Sequence, residues 1–186
     1  MKKWDEYYKR AGEKPNQLVA GVLEENVSGR TASLDLGAGN LRDSKFLLEQ
    51  GFSRVVAVDC SEQSRDFAVD GIELHIEPIQ TYGIEKNTYD YIVCCNTLFF
   101  LKPNEVVDLF NGVFDGLRAG GVFTGNVLGK EDEWVLNGAP VSSFTGGALE
   151  ILLSRFKMID LGDVKYHAPS NPPKFWHLWS FVVQKV

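Results

Sequence analysis

The chain has 186 residues, 44% of them hydrophobic, and a formal charge of -6. That length suits one domain burying roughly 70% of its unfolded surface, and an acidic balance with no basic run longer than Lys2-Lys3 withholds the positive stripe that nucleic acid requires. The longest apolar run falls short of a bilayer span, and Met1-Lys2-Lys3 leads into Trp4-Asp5-Glu6 instead of an apolar targeting core, so a cytoplasmic protein with no membrane partner is expected.

In chain order, Trp4, Tyr7 and Tyr8 stand at i, i+3 and i+4 and share one face of a short helix. Two readings of that face stand: a helix docked on a core, or a lid whose rings stack over a flat, partly cationic ligand. After Pro15, Asn16 caps a second helix carrying Leu18, Val19, Val22 and Leu23. From Thr31 strands at about 32–36, 54–59, 72–77, 89–96 and 121–128 alternate with helices at about 42–50, 61–69 behind a Ser61 cap, and Asn104 to Leu117. That alternation calls for a parallel sheet covered on both faces. Beyond Gly129 the order switches. Thr145 caps a helix through Phe156, with Phe144 placed to staple onto Leu149. Strands near 158–166 and 176–185 follow, joined by Ala168-Pro169-Ser170-Asn171-Pro172-Pro173, and consecutive strands pair most simply as antiparallel neighbours.

Two strand ends carry the chemistry. Ser33-Leu34-Asp35-Leu36-Gly37-Ala38-Gly39-Asn40 reads as a buried strand, a tight glycine turn and a helix start, where backbone N–H groups can approach a ligand closely. Some twenty residues later Arg54-Val55-Val56-Ala57-Val58-Asp59 ends in an acid, the position from which a carboxylate reaches two ribose hydroxyls. A nucleoside-bearing cofactor is the expectation. Asp90, at the start of a strand, reads as structural.

The ordered series Leu34-Asp35-Leu36-Gly37-Ala38-Gly39, Val58-Asp59, Tyr89-Asp90-Tyr91-Ile92-Val93 and Leu117-Arg118-Ala119-Gly120-Gly121 resembles the motifs of class I S-adenosylmethionine-dependent methyltransferases. Trp4-Asp5-Glu6-Tyr7-Tyr8 and Arg42-Asp43-Ser44 are similar to the small tellurite-resistance methyltransferase type. The resemblance implies an α/β, Rossmann-like sheet of seven strands, five parallel plus an antiparallel C-terminal pair, with helices on both faces. It further implies a single domain over 1–186: a helical cap (1–28), a cofactor-binding core (29–129), and a substrate-side helix with the terminal hairpin (130–186). S-adenosylmethionine would lie among Asp35, Gly37, Ala38, Gly39, Asp59, Cys60, Glu77, Ile79, Gln80 and Asn96, beneath Trp4 and Tyr8. The chain departs from the pattern at Leu41, where the subgroup has a third glycine, and at Pro78, where an aspartate is expected beside the adenine. Pro78 has no N–H to donate, so Glu77 or Gln80 would meet the adenine amino group.

A sulfonium methyl is already activated, so alignment and desolvation are required of the protein more than covalent chemistry, and no catalytic residue or metal is demanded. The segment Cys94-Cys95-Asn96-Thr97-Leu98-Phe99-Phe100 should face the methyl group. It lacks the Asn-Pro-Pro-aromatic sequence of exocyclic-amine methyltransferases and the Pro-Cys pair of cytosine C5 enzymes, which leaves a small-molecule acceptor. Phe99, Trp134, His167, Trp176 and His177 are the candidate acceptor walls, each histidine being either a general base or a packing residue. Cys60, Cys94 and Cys95 have no metal-ligand spacing, and Cys94 and Cys95 read as small apolar strand residues. Two alternatives remain. A nicotinamide dehydrogenase would need a further glycine where Arg42 stands. A non-catalytic module of the same fold is the reading that Leu41 and Pro78 favour.

Overall fold

A computed structural model describes residues 4–168 and 173–186. The leading Met1-Lys2-Lys3 and residues 169–172 of the proline-rich loop lie outside the described residues. Two helices, α1 (Trp4–Arg10) and α2 (Gln17–Asn26), precede strand β1 (Ala32–Leu36). The alternating part continues as α3 (Arg42–Glu49), β2 (Arg54–Asp59), a three-ten turn (Glu62–Phe67), β3 (Ile72–Ile76), β4 (Tyr89–Cys94), a second three-ten turn (Leu98–Phe100), α4 (Pro103–Gly116) and β5 (Leu117–Leu128). The last part is α5 (Glu133–Leu136), α6 (Gly146–Leu152), β6 (Lys157–Ala168) and β7 (Lys174–Gln184).

The strands form one sheet in the order β3-β2-β1-β4-β5-β7-β6. Strands β1 to β5 pair in parallel, and β7 runs antiparallel to both of its neighbours, β5 and β6. This is the expected architecture, with β7 alone running against the rest. Every residue of β1 is buried, as is every residue of β2 after Arg54, which requires cover on both faces. Alternate strand residues supply the two layers. Leu34, Leu36, Val56, Val58 and Phe123 pack with Val106, Leu109, Phe110 and Val113 of α4 and Leu149 of α6. On the other face Val55, Tyr91, Val93 and Val122 pack with Val19, Val22 and Leu23 of α2 and Leu47 of α3.

Local chemistry sets the ends. The Asn16 side chain accepts from Leu18 N and Thr145 Oγ1 accepts from Ala148 N, so these two capping residues act as their positions predict, whereas the Ser61 hydroxyl donates to Gln63 Oε1 and caps no backbone N–H. Asp90 takes the N–H groups of Thr31 and Ala32 and pins the start of β1. Elsewhere the structure differs from expectation. The segment expected as a helix over 61–69 is only a three-ten turn, because Ser61-Glu62-Gln63-Ser64-Arg65-Asp66 offers no apolar stripe to bury. Leu117 already belongs to β5, since it pairs with Tyr89 across the sheet, and Ala168 extends β6 into the expected loop. The short helix α5 was not expected; it starts where the Asp132 side chain accepts from Trp134 N.

The strand order reverses between β1 and β4, which opens a crevice beyond their carboxyl ends. Among the described residues no helix is long and apolar enough to cross a membrane. The aromatic packing of Phe123 against Phe110, Phe156 and Phe181 lies at the centre of the α4 layer. Phe123→Ala should therefore lower the unfolding free energy by about 3–5 kcal/mol in urea titration, with the fold otherwise retained.

Candidate functional site

The crevice holds a cleft of about 310 Å³, at the lower end of the ~300–1,000 Å³ range of small-molecule sites. Its floor is the turn after β1. Gly37 and Gly39 both have positive φ (83° and 56°), a region that side-chain-bearing residues rarely adopt. A Cβ on Gly37 would collide with the Thr97 side chain, so glycine is also what lets the ends of β1 and β4 meet. The turn's donors are turned inward: Gly37 N and Ala38 N both donate to Val58 O, and Gly39 N donates to Asp59 Oδ2 at 2.8 Å. The expected presentation of those N–H groups to a ligand is thus corrected. β2 claims them, and no pyrophosphate cradle is left.

Asp59, 5% exposed, is where the segments converge. Its Oδ2 accepts from Gly39 N, and its Oδ1 accepts from Ser61 N at 2.8 Å and from the Tyr8 hydroxyl at 3.0 Å. Burial pushes the Tyr8 phenol well up, and Asp59 adds to the rise, so Tyr8 remains a donor. The N-terminal segment is strapped across the turn by further bonds. Asn40 Nδ2 donates to the carbonyls of Tyr8 and Gly12, Arg42 Nη1 donates to that of Ala11, and Asn16 N donates to Asp43 Oδ1.

Of the cofactor residues expected from sequence, Trp4, Tyr8, Gly37, Ala38, Gly39, Asp59, Cys60, Ile79, Gln80 and Asn96 line the cleft. Asp35 and Glu77 do not. Asp35 lies beneath the turn, 3% exposed, where Ser44 Oγ donates to its Oδ2, and burial with Asp43 nearby pushes its carboxyl up to about 8. Glu77 extends β3's pairing through its N–H to Asp59 O and does not line the cleft. Asp43 joins Asp59 in the cleft lining, 7% exposed and raised by burial. Leu41 adopts φ 60°, but its side chain packs beneath the turn with Ala38 and Ala57 and does not obstruct the cleft.

Beyond β4, Asn96 Oδ1 accepts from Asn126 Nδ2 while Asn96 N donates to Asn126 Oδ1, which fixes the end of that strand. The three-ten turn that follows aims Phe100, and not Phe99, into the cleft; Phe99 is 1% exposed and packs on Leu128 and Leu178. Trp134 and Trp176 stand behind Phe99 and Phe100, with the Lys174 ammonium over both indoles and within 2.9 Å of buried Asp132. His167 is exposed on β6 beside Phe175. His177 is buried, accepts from Glu131 N at Nδ1, and packs against Gly129, where a Cβ would collide with its ring. None of these four acceptor candidates lines the cleft, nor does His177. Sequence reasoning missed Asn40 and Asp43 and placed Thr97 and Phe100 only within the segment expected to face the methyl group; the signal available for Asp43 was its place in the first turn of α3, shortly after the glycines.

Residues 34–121 match the family model described as a methyltransferase domain. No curated protein matches the chain by sequence. Among solved structures, the fold is similar to TehB from Haemophilus influenzae (TM-score 0.81, 17% identity, 99% of this chain and 68% of that one). It is also similar to a putative S-adenosylmethionine-dependent methyltransferase from Listeria monocytogenes (TM-score 0.70, 16% identity, 91% of this chain and 98% of that one). A third is 1,6-didemethyltoxoflavin-N1-methyltransferase from Burkholderia thailandensis (TM-score 0.66, 23% identity, 98% of this chain and 80% of that one). Residues 34–121, which span the glycine turn, the Asp59 strand and β4, thus match a methyltransferase domain, and the fold over nearly the whole chain is similar to that of S-adenosylmethionine-dependent methyltransferases.

Proposed function

We propose that this protein transfers the methyl group of S-adenosylmethionine to a small-molecule acceptor in the cleft at the carboxyl ends of β1 and β4. The observation that carries the reading is the buried Asp59 carboxylate, set beside a glycine turn whose N–H groups are already taken. A carboxylate there suits a ribose diol. The turn does not suit the pyrophosphate of a dinucleotide, which weighs against a dehydrogenase.

The cleft residues fit the remaining parts of an adenosyl amino acid. Ile79, Pro78 and Gln80, which follow β3, supply an apolar surface and a side-chain amide for the adenine. Gly37 to Gly39 let the methionine chain lie against backbone, and Asp43, with Asp35 behind it, faces the ammonium. Those two buried acids bear a desolvation cost that a cation offsets. When bound, S-adenosylmethionine supplies a methyl already activated on sulfur. The chain's residues align and dry the approach: Asn96 is held by Asn126, and Trp4, Tyr7 and Phe100 exclude water.

Neither histidine nor lysine lines the cleft among the described residues, and burial pushes the Cys95 thiol well up. The acceptor therefore brings its own nucleophilicity. The Burkholderia enzyme, whose structure holds 1,6-didemethyltoxoflavin and S-adenosylhomocysteine, supports a small acceptor by analogy. In this reading residues 1–28 act as a cap, 29–129 as the cofactor core and 130–186 as the acceptor side. The non-catalytic alternative loses one of its grounds, because Leu41 leaves the cleft open.

Calorimetric titration tests the cofactor: S-adenosylmethionine and S-adenosylhomocysteine should bind with micromolar affinity, near -8 kcal/mol, and NADH should give no heat. Asp59→Ala should weaken both adenosyl ligands by roughly 1.5–3 kcal/mol, and methyl transfer in a panel of small nucleophiles then identifies the acceptor. Asp35 gives a second test through pH. Its folded pKa of about 8 lies above the unfolded value of ~3.9, so its contribution is fully present below the unfolded value and is lost as pH rises through 8. Wild-type stability should fall relative to Asp35→Asn by up to ~1.4 kcal/mol per pH unit across that window and level off above it, as read by urea unfolding at several pH values.

A further inference from the structure

A carboxylate offers about four lone-pair sites on its two oxygens. At Asp59 three of them are used within the protein: Oδ1 takes Ser61 N and the Tyr8 hydroxyl, and Oδ2 takes Gly39 N. One site remains, on Oδ2. A ribose diol binding through both hydroxyls needs two. The Ser61 and Gly39 donors are backbone groups beside the β2 end and the glycine turn and cannot leave without unfolding them. The Tyr8 hydroxyl is a side-chain donor on a short helix, and it can.

We infer that Tyr8 is an internal competitor for the ribose site: in the ligand-free protein its hydroxyl occupies the acceptor that one ribose hydroxyl needs, so the cofactor binds only by displacing it. The inference rests on the adenosyl-cofactor reading above. Displacement reaches the acceptor side through stacked rings. Trp4 lies nearly parallel to Tyr8, at 15° and 6.1 Å between centroids, and meets Phe100 edge-on at 5.3 Å. The pair that covers the ribose site therefore also closes on the methyl side, while Asn40 and Arg42 hold the carbonyls at the far end of α1 and beyond it. Displacing Tyr8 shifts the ring that borders Phe100, so the cofactor prepares the acceptor wall and binds first.

The test is the affinity of S-adenosylhomocysteine for the wild type and for Tyr8→Phe, measured by calorimetry, with thermal unfolding to confirm that the variant is folded. Phenylalanine keeps the ring and removes only the donor. The expected result is tighter binding by the variant, about tenfold, which is the lower end for a hydrogen bond to a charged group. Tyr8→Leu, which also lacks the donor, should move affinity in the same direction and serves if the first variant is unstable. Unchanged or weaker binding in a folded variant overturns the competition while leaving the cofactor assignment intact, because the ligand still binds. Absence of binding by every protein, wild type included, overturns the cofactor assignment and this inference with it.

Discussion

The convergence on Asp59 is the interaction on which the rest of the site depends. One buried carboxylate ends β2, receives the N–H of Gly39 from the turn after β1, receives Ser61 from the start of the next connection, and receives Tyr8 from the N-terminal helix. Segments separated by up to 51 positions in sequence are thereby registered to a single pair of oxygen atoms. Buried acceptors that remain unpaired cost about 1–3 kcal/mol or more when charged, so these donors stabilise the ligand-free cleft as well as shaping it. The same hydrogen bonds explain why the glycine turn curls toward the sheet instead of presenting a nest of amides outward.

Much of the architecture was legible because parallel strands buried on both faces are continuous apolar runs, and β1, β2 and β4 each end at a recognisable change of residue type. The glycine turn and Asp59 were legible for a related reason: each sits at a fixed offset from a strand end, so a local pattern locates it. What escaped depended on rotation about an element, or on a partner distant in sequence. Phe99 and Phe100 are adjacent, and only the three-ten turn decides which ring faces the cleft. Asp35 and Asp43 are both acids near the turn, and only the pitch of α3 decides which one is buried under Ser44 and which reaches the cavity. His177 reads from sequence as a candidate base, yet its ring is committed to the gap above Gly129, a contact spanning almost fifty residues.

The segments behind Phe99 and Phe100 show a different organisation. Lys174, drawn over Trp134 and Trp176 and paired with fully buried Asp132, joins the loop after β5 to the last strand. Burial pulls the Lys174 ammonium down from its ordinary range, and the neighbouring Asp132 opposes that fall. The cluster sits behind the cleft wall, its indoles packed on Phe99 and Phe100.

The position of β7 bears on how the molecule comes together. It is the last strand in the chain and the last but one in the sheet, slotted between β5 and β6 with ladders on both sides. A ribosome delivers β5 and β6 first, and neither can pair with the other in the final arrangement. Until residues 174–184 emerge, β5 presents an open ladder edge, and Phe123 lacks the Phe181 ring that covers it. The nascent chain thus carries an unsealed hydrophobic seam from the emergence of β5 until that of β7. The β5 edge stays open until β7 fills it, and over that interval association with other unfinished chains competes with closure of the sheet.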